Sequence, residues 1–151
     1  MTTVEQDGCP VNGITEASIA SDYPDLMKFW HLEPDEYREQ YGEHVPQICL
    51  YGFQHGAGWN WLVEQVFEYI EAQDVETTVV QVKEKFGGLR IYTAGVQADG
   101  DRAADRVFNA IQFAGHLSRG ICEMCGQTGA TFHDEGWLQT RCDNCFDEES
   151  Q

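Results

Sequence analysis

The chain has few positive charges: Lys and Arg supply nine of its 151 residues, and only three of the nine are lysines. Asp and Glu supply 26, so the formal net charge is −17. A field of this sign repels phosphate backbones and anionic membranes and attracts basic protein surfaces. The composition disfavours nonspecific DNA binding. It is typical of a highly soluble protein, of a protein from a saline cytoplasm, or of one whose acid is an interaction surface.

The sequence also lacks any apolar run near the roughly 18–20 residues that cross a bilayer. Its start, MTTVEQDGCPVNG, has neither the basic beginning nor the apolar middle of a secretory signal. We therefore expect a cytoplasmic protein without a membrane partner. Aromatic residues make up 12% of the chain, and since disordered chains of this charge are poor in aromatics, we expect it to fold.

Residues 1–50 form an acidic N-terminal region. The first 45 residues carry ten carboxylates and two basic side chains, a local charge of −8. Short helices are predicted over 24–31 and 34–41, because each begins with a proline, which fits the first turn of a helix. Seven carboxylates in and around these helices are candidates for contact with a basic partner: Asp22, Asp25, Glu33, Asp35, Glu36, Glu39 and Glu43.

Residues 51–119 have the pattern of an α+β core, in which helices surround a small antiparallel sheet. Apolar residues recur at helical spacing from Trp59 to Glu71 and again over 101–118. The glycine-rich stretch before the first helix, YGFQHGAGWN, matches no phosphate-binding pattern and is interpreted as a turn. It contains His55, whose role the sequence leaves open.

Two runs of β-branched residues flank a Gly-Gly pair at 87–88 and predict a hairpin over about 77–94 with a two-residue loop. Alternation along the first strand places Lys83 and Lys85 on one face. Together with Arg90, these two lysines place three of the chain's nine basic residues on one short hairpin. Internal ion pairs with surrounding acid are the favoured interpretation, and contact with phosphates is the alternative.

Four of the six cysteines form two CxxC pairs, Cys122 with Cys125 and Cys142 with Cys145, and sixteen residues separate the pairs. Each CxxC turn can direct two thiolates at one ion, and two turns complete a tetrahedral shell. Residues 120–147 are therefore predicted to form a zinc ribbon. Four protein ligands leave Zn²⁺ no open position, so we expect the ion to be structural.

Redox-active or disulfide-linked CxxC pairs are the alternative, and they are disfavoured because no thioredoxin-like βαβ pattern surrounds either pair. His133 lies between the pairs and could replace a ligand, although a surface histidine on a short hairpin is the favoured interpretation.

Cys9 and Cys49 are expected to be free or buried thiols, and their roles stay open. No nucleophile elbow, phosphate loop or open catalytic metal triad is present in the sequence, so a catalytic function is disfavoured.

Three segments of the chain together resemble a group of small uncharacterised proteins encoded by bacteria and their phages or prophages. These segments are GWNWLVEQVFEYIE, QVKEKFGGLRIYT, and CEMCGQTG with GWLQTRCDNC. The group combines a KEKFGGLR-type hairpin with a C-terminal CxxC…Cxx[CH] module. The resemblance covers roughly residues 56–145, and the acidic N-terminal third lies outside it. It implies a phage or bacterial setting in the host cytoplasm, and it carries over no catalytic residue.

By analogy, small acidic phage proteins can block host machinery that binds nucleic acid, because carboxylates can occupy a groove meant for phosphates. The favoured function is a non-catalytic, zinc-containing interaction protein that binds a basic host surface and inhibits a defence system, as anti-CRISPR or anti-restriction proteins do. The alternative is a zinc-ribbon regulator that binds nucleic acid through Lys83, Lys85 and Arg90.

Overall fold

The computed structural model describes residues 3–6, 9–97, 101–134 and 136–149. In chain order the elements are β1 (Thr3–Gln6), β2 (Cys9–Asn12), α1 (Glu16–Asp22), α2 (Pro34–Tyr41), α3 (Gln47–Tyr51), α4 (Asn60–Ala72), β3 (Glu76–Lys85), β4 (Gly88–Gln97), α5 (Asp101–Ser118), β5 (Thr131–Asp134), β6 (Leu138–Arg141) and α6 (Asp143–Glu149). The described strands pair as three antiparallel hairpins, β1–β2, β3–β4 and β5–β6. The predicted α+β class is confirmed. No described helix is long and apolar enough to span a membrane.

The hydrophobic core lies between α4, α5 and the β3–β4 hairpin. A short 3₁₀ turn, Ala57–Trp59, leads into α4, whose inner face is buried at the predicted helical spacing. The N-terminal region contributes to the same core. The buried residues that belong to it are Ile19, Ala20, Leu26, Met27, Phe29 and Ile48 from that region, joined to Trp59, Phe67, Val79, Val82 and Val107 among others.

One of the two predicted N-terminal helices does not form. Residues 24–31 make consecutive hydrogen-bonded turns, and the regular helix α1 lies earlier in the chain. The helix α1 ends at Asp22 and Tyr23 is non-helical, because the ring of Pro24 disfavours helical geometry in the residue before it. The second predicted helix, over 34–41, is confirmed as α2.

The predicted central hairpin is present, but its loop lies one residue earlier than the Gly-Gly pair. Lys85 pairs with Gly88, which leaves Phe86 and Gly87 as the loop residues, with φ of 54° and 77°. Two consecutive positive φ values twist a two-residue loop in the direction that the flanking strands require. The strand register, and not glycine content, therefore decides which residues turn.

A register shift between Val79 and Gln81 interrupts the alternation of β3. Strict alternation puts Val79 and Val82 on opposite faces, whereas both are fully buried in the core. Beyond the shift the alternation is regular, and Lys83 lies directly opposite Arg90 on β4. Lys85, two residues further on, shares the face of these two side chains.

Candidate metal centre

Four cysteine side chains converge near the C-terminus. The Sγ atoms of Cys122, Cys125, Cys142 and Cys145 all lie within 4.8 Å of one another, and those of Cys125 and Cys142 are 3.7 Å apart. Three of the four are buried, and Cys145 is half-buried. Tetrahedral Zn–S bonds of about 2.3 Å separate neighbouring sulfurs by about 3.8 Å. The cluster is thus compatible with one zinc ion.

Local backbone geometry directs each pair of sulfurs inward. In the first pair, the Gly126 N–H donates to the Cys122 carbonyl at 2.9 Å, and Gly126 has φ of 83°. A residue with a side chain adopts this left-handed turn at a cost, which explains the glycine. In the second pair, Cys142 directly precedes α6 and Cys145 lies in its first turn. The two pairs therefore present sulfurs from a turn and from a helix start.

The chemistry of the cluster depends on a cation. Burial raises the pKa of the Cys125 thiol, and the nearby thiols of Cys122 and Cys142 raise it further. Without a cation the Cys125 thiol therefore favours the neutral form. A soft divalent ion such as Zn²⁺ binds the thiolate, so binding would release protons and neutralise part of the buried negative charge.

The glycine-rich stretch before α4 holds the first cysteine pair against the core. The Gly58 N–H donates to the Glu123 carbonyl at 2.7 Å, and the Gly56 N–H donates to the Glu123 carboxylate at 2.9 Å. A Cβ at Gly58 would overlap the Cys122 carbonyl oxygen. These two glycines therefore let two backbones approach closely. Sequence reasoning missed this role, although paired glycines directly before a helix were its signal.

Further contacts fix the cysteine module at two places. The Trp59 indole N–H donates to the Ile121 carbonyl at 2.8 Å, at the start of α4. The Thr140 hydroxyl donates to the Gly87 carbonyl at 2.7 Å in a buried contact, at the loop of the central hairpin. A Cβ at Gly87 would overlap the Phe132 ring, so the approach is close here too. The module and the core share one packed interface.

Neither histidine near the cluster lies among its four ligands. The Nδ1 of His55 is 2.8 Å from the Gly56 carbonyl and donates to it, and the His55 ring stacks on Phe53 at 5.0 Å. Burial lowers the pKa of His55 to about 4, so the ring is neutral at neutral pH. The His133 ring stacks on Phe146 with 3.8 Å between centroids. Both rings serve in packing.

Of the two remaining cysteines, Cys49 is a half-buried thiol that donates to the Leu32 carbonyl at 3.1 Å. Burial raises its pKa, which keeps the thiol protonated and weakly nucleophilic. The sequence predicted a free or buried thiol at this position and left its role open. Cys9 lies in β2, and its side chain is outside the part of the chain that the structure describes.

All seven candidate carboxylates of the N-terminal region belong to exposed residues. Within α2, Asp35 and Glu39 lie one turn apart and share a face. The opposite face carries Tyr37 and Tyr41, whose rings pack edge-on against Phe29 with centroids 5.1 and 5.2 Å away. Packing of the tyrosines therefore turns the Asp35 and Glu39 side chains away from the core.

The basic side chains of the central hairpin do not form the ion pairs that the sequence favoured. Lys83 and Arg90 are half-buried and Lys85 is exposed. None of these three side chains lies within 4.0 Å of a carboxylate in the described part of the chain. The internal ion-pair interpretation is therefore wrong for the hairpin. The physical reason is the register, which places uncharged Gln81 and Tyr92 beside Lys83 and Arg90.

The fold and the site define the class: an α+β protein with a C-terminal four-cysteine cluster compatible with zinc. No protein-family model matches this chain, and no curated protein or solved structure matches it. The function is therefore proposed from the geometry, the charges and the resemblance noted in the sequence.

Proposed function

We propose that the protein is a non-catalytic, zinc-stabilised interaction protein that binds a basic surface of a host protein through its acidic N-terminal region. The observation that carries this proposal is the exposure of all seven candidate carboxylates. Asp35 is engaged by Arg38 at 2.7 Å, and Glu36 accepts the Glu33 N–H at 3.0 Å. Most of the seven carboxylates are therefore available for contact with a partner.

The role of zinc in this proposal is structural. The four thiols supply the whole coordination shell, so no position remains for a substrate or for a reactive water. The ion would hold the two CxxC segments together. The hydrogen bonds at Gly58 and Gly87 would then fix the cysteine module against the core. Zinc would thereby stabilise the fold that displays the acidic side chains on its surface.

The setting follows from the resemblance to small bacterial and phage proteins. In that setting the partner is a nucleic-acid-binding defence complex of the bacterial host, such as a restriction or CRISPR complex, in the cytoplasm. Carboxylates would occupy the groove that normally receives phosphates, which is nucleic-acid mimicry. Salt should weaken such a complex, because exposed charges are screened when the Debye length falls below about 8 Å.

The experiment compares two charge-matched variants by affinity capture from host cells and by direct binding to the captured protein at increasing salt. The first variant replaces the seven candidate carboxylates by Asn or Gln. The control neutralises seven other exposed carboxylates, at Glu68, Glu71, Asp74, Glu76, Asp105, Asp134 and Asp143. Loss of a basic partner in the first variant alone is expected. Equal binding by the parent and the first variant would overturn the proposal.

A second candidate function is nucleic-acid binding through the basic face of the hairpin. The observation that favours it is that Lys83, Lys85 and Arg90 share one face and have no carboxylate within ion-pair distance among the described residues. A gel-shift assay with single- and double-stranded DNA and RNA at low salt tests it. A shift lost on Lys83→Gln supports this function, and no shift at all removes it.

A further inference from the structure

A groove of about 300 Å³ lies between β4 and the C-terminal half of α5. The β4 side contributes Arg90 and Tyr92, and the α5 side contributes Gln112, His116 and Arg119. None of the groove's lining residues carries a carboxylate. We call this feature the β4–α5 groove. Small-molecule sites in proteins typically enclose about 300–1,000 Å³, so it can take a small ligand.

The two arginines of the β4–α5 groove have unused hydrogen-bond donors. The Nε of Arg90 is buried and has no hydrogen-bond partner. The Arg119 guanidinium lies 4.9 Å from the centre of the Phe132 ring, and stacking of this kind leaves the in-plane N–H groups free. No ion pair engages either residue in the described part of the chain. A buried donor without a partner costs free energy, which an anion in the groove would recover.

The backbone of β4 adds a donor to the same wall. The Leu89 N–H points away from β3 and donates to the Ser118 hydroxyl at 2.9 Å. Since backbone groups of a strand repeat their direction every second residue, the Ile91 N–H points outward as well. Ile91 lines the groove. The close approach of α5 depends on Gly115, where a Cβ would lie 3.0 Å from the Leu89 carbonyl oxygen.

We propose that the β4–α5 groove binds the phosphate monoester of a small organic molecule. The planar forks of Arg90 and Arg119 match phosphate oxygens, and the Ile91 N–H and His116 add donors around them. Tyr92 is 43% exposed and offers an aromatic face to the organic part. A long polyanion such as nucleic acid would extend beyond the groove and be repelled by the rest of a protein whose net charge is −17. A single monoester fits within the groove and avoids this repulsion.

Binding is measured by amide NMR titration and by calorimetry with adenosine monophosphate as the probe, on the zinc-loaded full chain. Shifts are expected at residues 88–92 and 115–119, and Arg90→Gln should weaken binding at least about tenfold, because a charge-assisted hydrogen bond is lost. Arg102→Gln is the matched control, since Arg102 is exposed on α5 and does not line the groove. It should bind as the parent does.

Further arms separate the possible ligands. Arg119→Lys keeps the charge and removes the fork, so it should also weaken binding, and it replaces Arg90→Gln if that variant proves unfolded by NMR. Equal affinity for inorganic phosphate and for the nucleotide would overturn the role of an organic group. Tighter binding of a short single-stranded oligonucleotide, or no shifts in the groove with millimolar nucleotide, would overturn the small-molecule proposal.

Discussion

The backbone N–H of Gly58 donates a hydrogen bond of 2.7 Å to the carbonyl of Glu123, 65 residues further along the chain. Glu123 lies between the first two cysteines of the cluster, and Gly58 lies at the entrance to α4. This bond joins the candidate metal centre to the hydrophobic core. A change in the candidate metal centre should therefore affect the stability of the core, and a change at Gly58 should affect the metal centre.

Substitution of Gly58 tests this connection. Gly58→Ala should destabilise the protein by about 3 kcal/mol, because its Cβ would overlap backbone atoms of the first cysteine pair, including the Glu123 carbonyl oxygen at 2.6 Å. Gly120→Ala is the control, since its Cβ would make an ordinary contact of 3.7 Å with the Leu117 carbonyl. Urea unfolding of both zinc-loaded proteins measures the difference. Equal stability of the two variants would contradict the close packing.

Removal of one cysteine tests the metal assignment. Cys142→Ser should lose the single zinc and lower the melting temperature, because metal binding is coupled to folding in such modules. Cys49→Ser is the matched control and should keep both, since Cys49 lies outside the cluster. Elemental analysis and thermal unfolding measure the two quantities. A Cys142→Ser protein with unchanged metal content and melting temperature would show the zinc assignment to be wrong.

The hairpin loop offers a stabilising substitution. Phe86 is 58% exposed and has φ of 54°, a conformation that costs most residues about 1 kcal/mol and costs Asn less. Phe86→Asn should therefore raise the free energy of unfolding by about 0.5 kcal/mol, after loss of the contact between the ring and the Lys85 ammonium. Phe86→Leu keeps the unfavourable conformation and should bring no gain. A gain of the same size for Leu would refute this explanation.

The buried imidazole of His55 predicts a dependence of stability on pH. Its pKa is about 4 in the folded protein and 6.5 in its usual state, so the unfolded chain takes up the proton first. The stability that depends on neutral His55 is complete above pH 6.5 and is lost as the pH falls towards 4. The loss is at most about 3.5 kcal/mol, at about 1.4 kcal/mol per pKa unit.

Urea unfolding of the parent and of His55→Phe over this pH range measures the effect. The Phe variant has no imidazole to protonate, so the parent should lose stability more steeply as the pH falls. Release of zinc by acid affects both proteins alike and cancels in the comparison. Parallel losses in the two proteins would mean that His55 does not carry the pH dependence.

Several elements were predictable because their signals are local. Helical spacing of apolar residues identified α4 and α5, and the spacing of four cysteines identified the cluster. The helix predicted over 24–31 was wrong, because the segment turns to bury Leu26, Met27 and Phe29 in a core built from distant strands and helices. The helix propensity that Pro24 indicates is a local property and does not depend on those distant strands and helices.

Composition and short-range spacing were enough to predict the fold class, the acidic character and the set of cysteines. The contacts between residues that are far apart in the chain depended on the tertiary structure. It placed Gly58 against Glu123, put Phe86 in the loop instead of Gly88, and paired Arg90 across the hairpin with Lys83 and not with a carboxylate. Each outcome depends on strand register or on the approach of two backbones, and contacts between residues far apart in the chain set both.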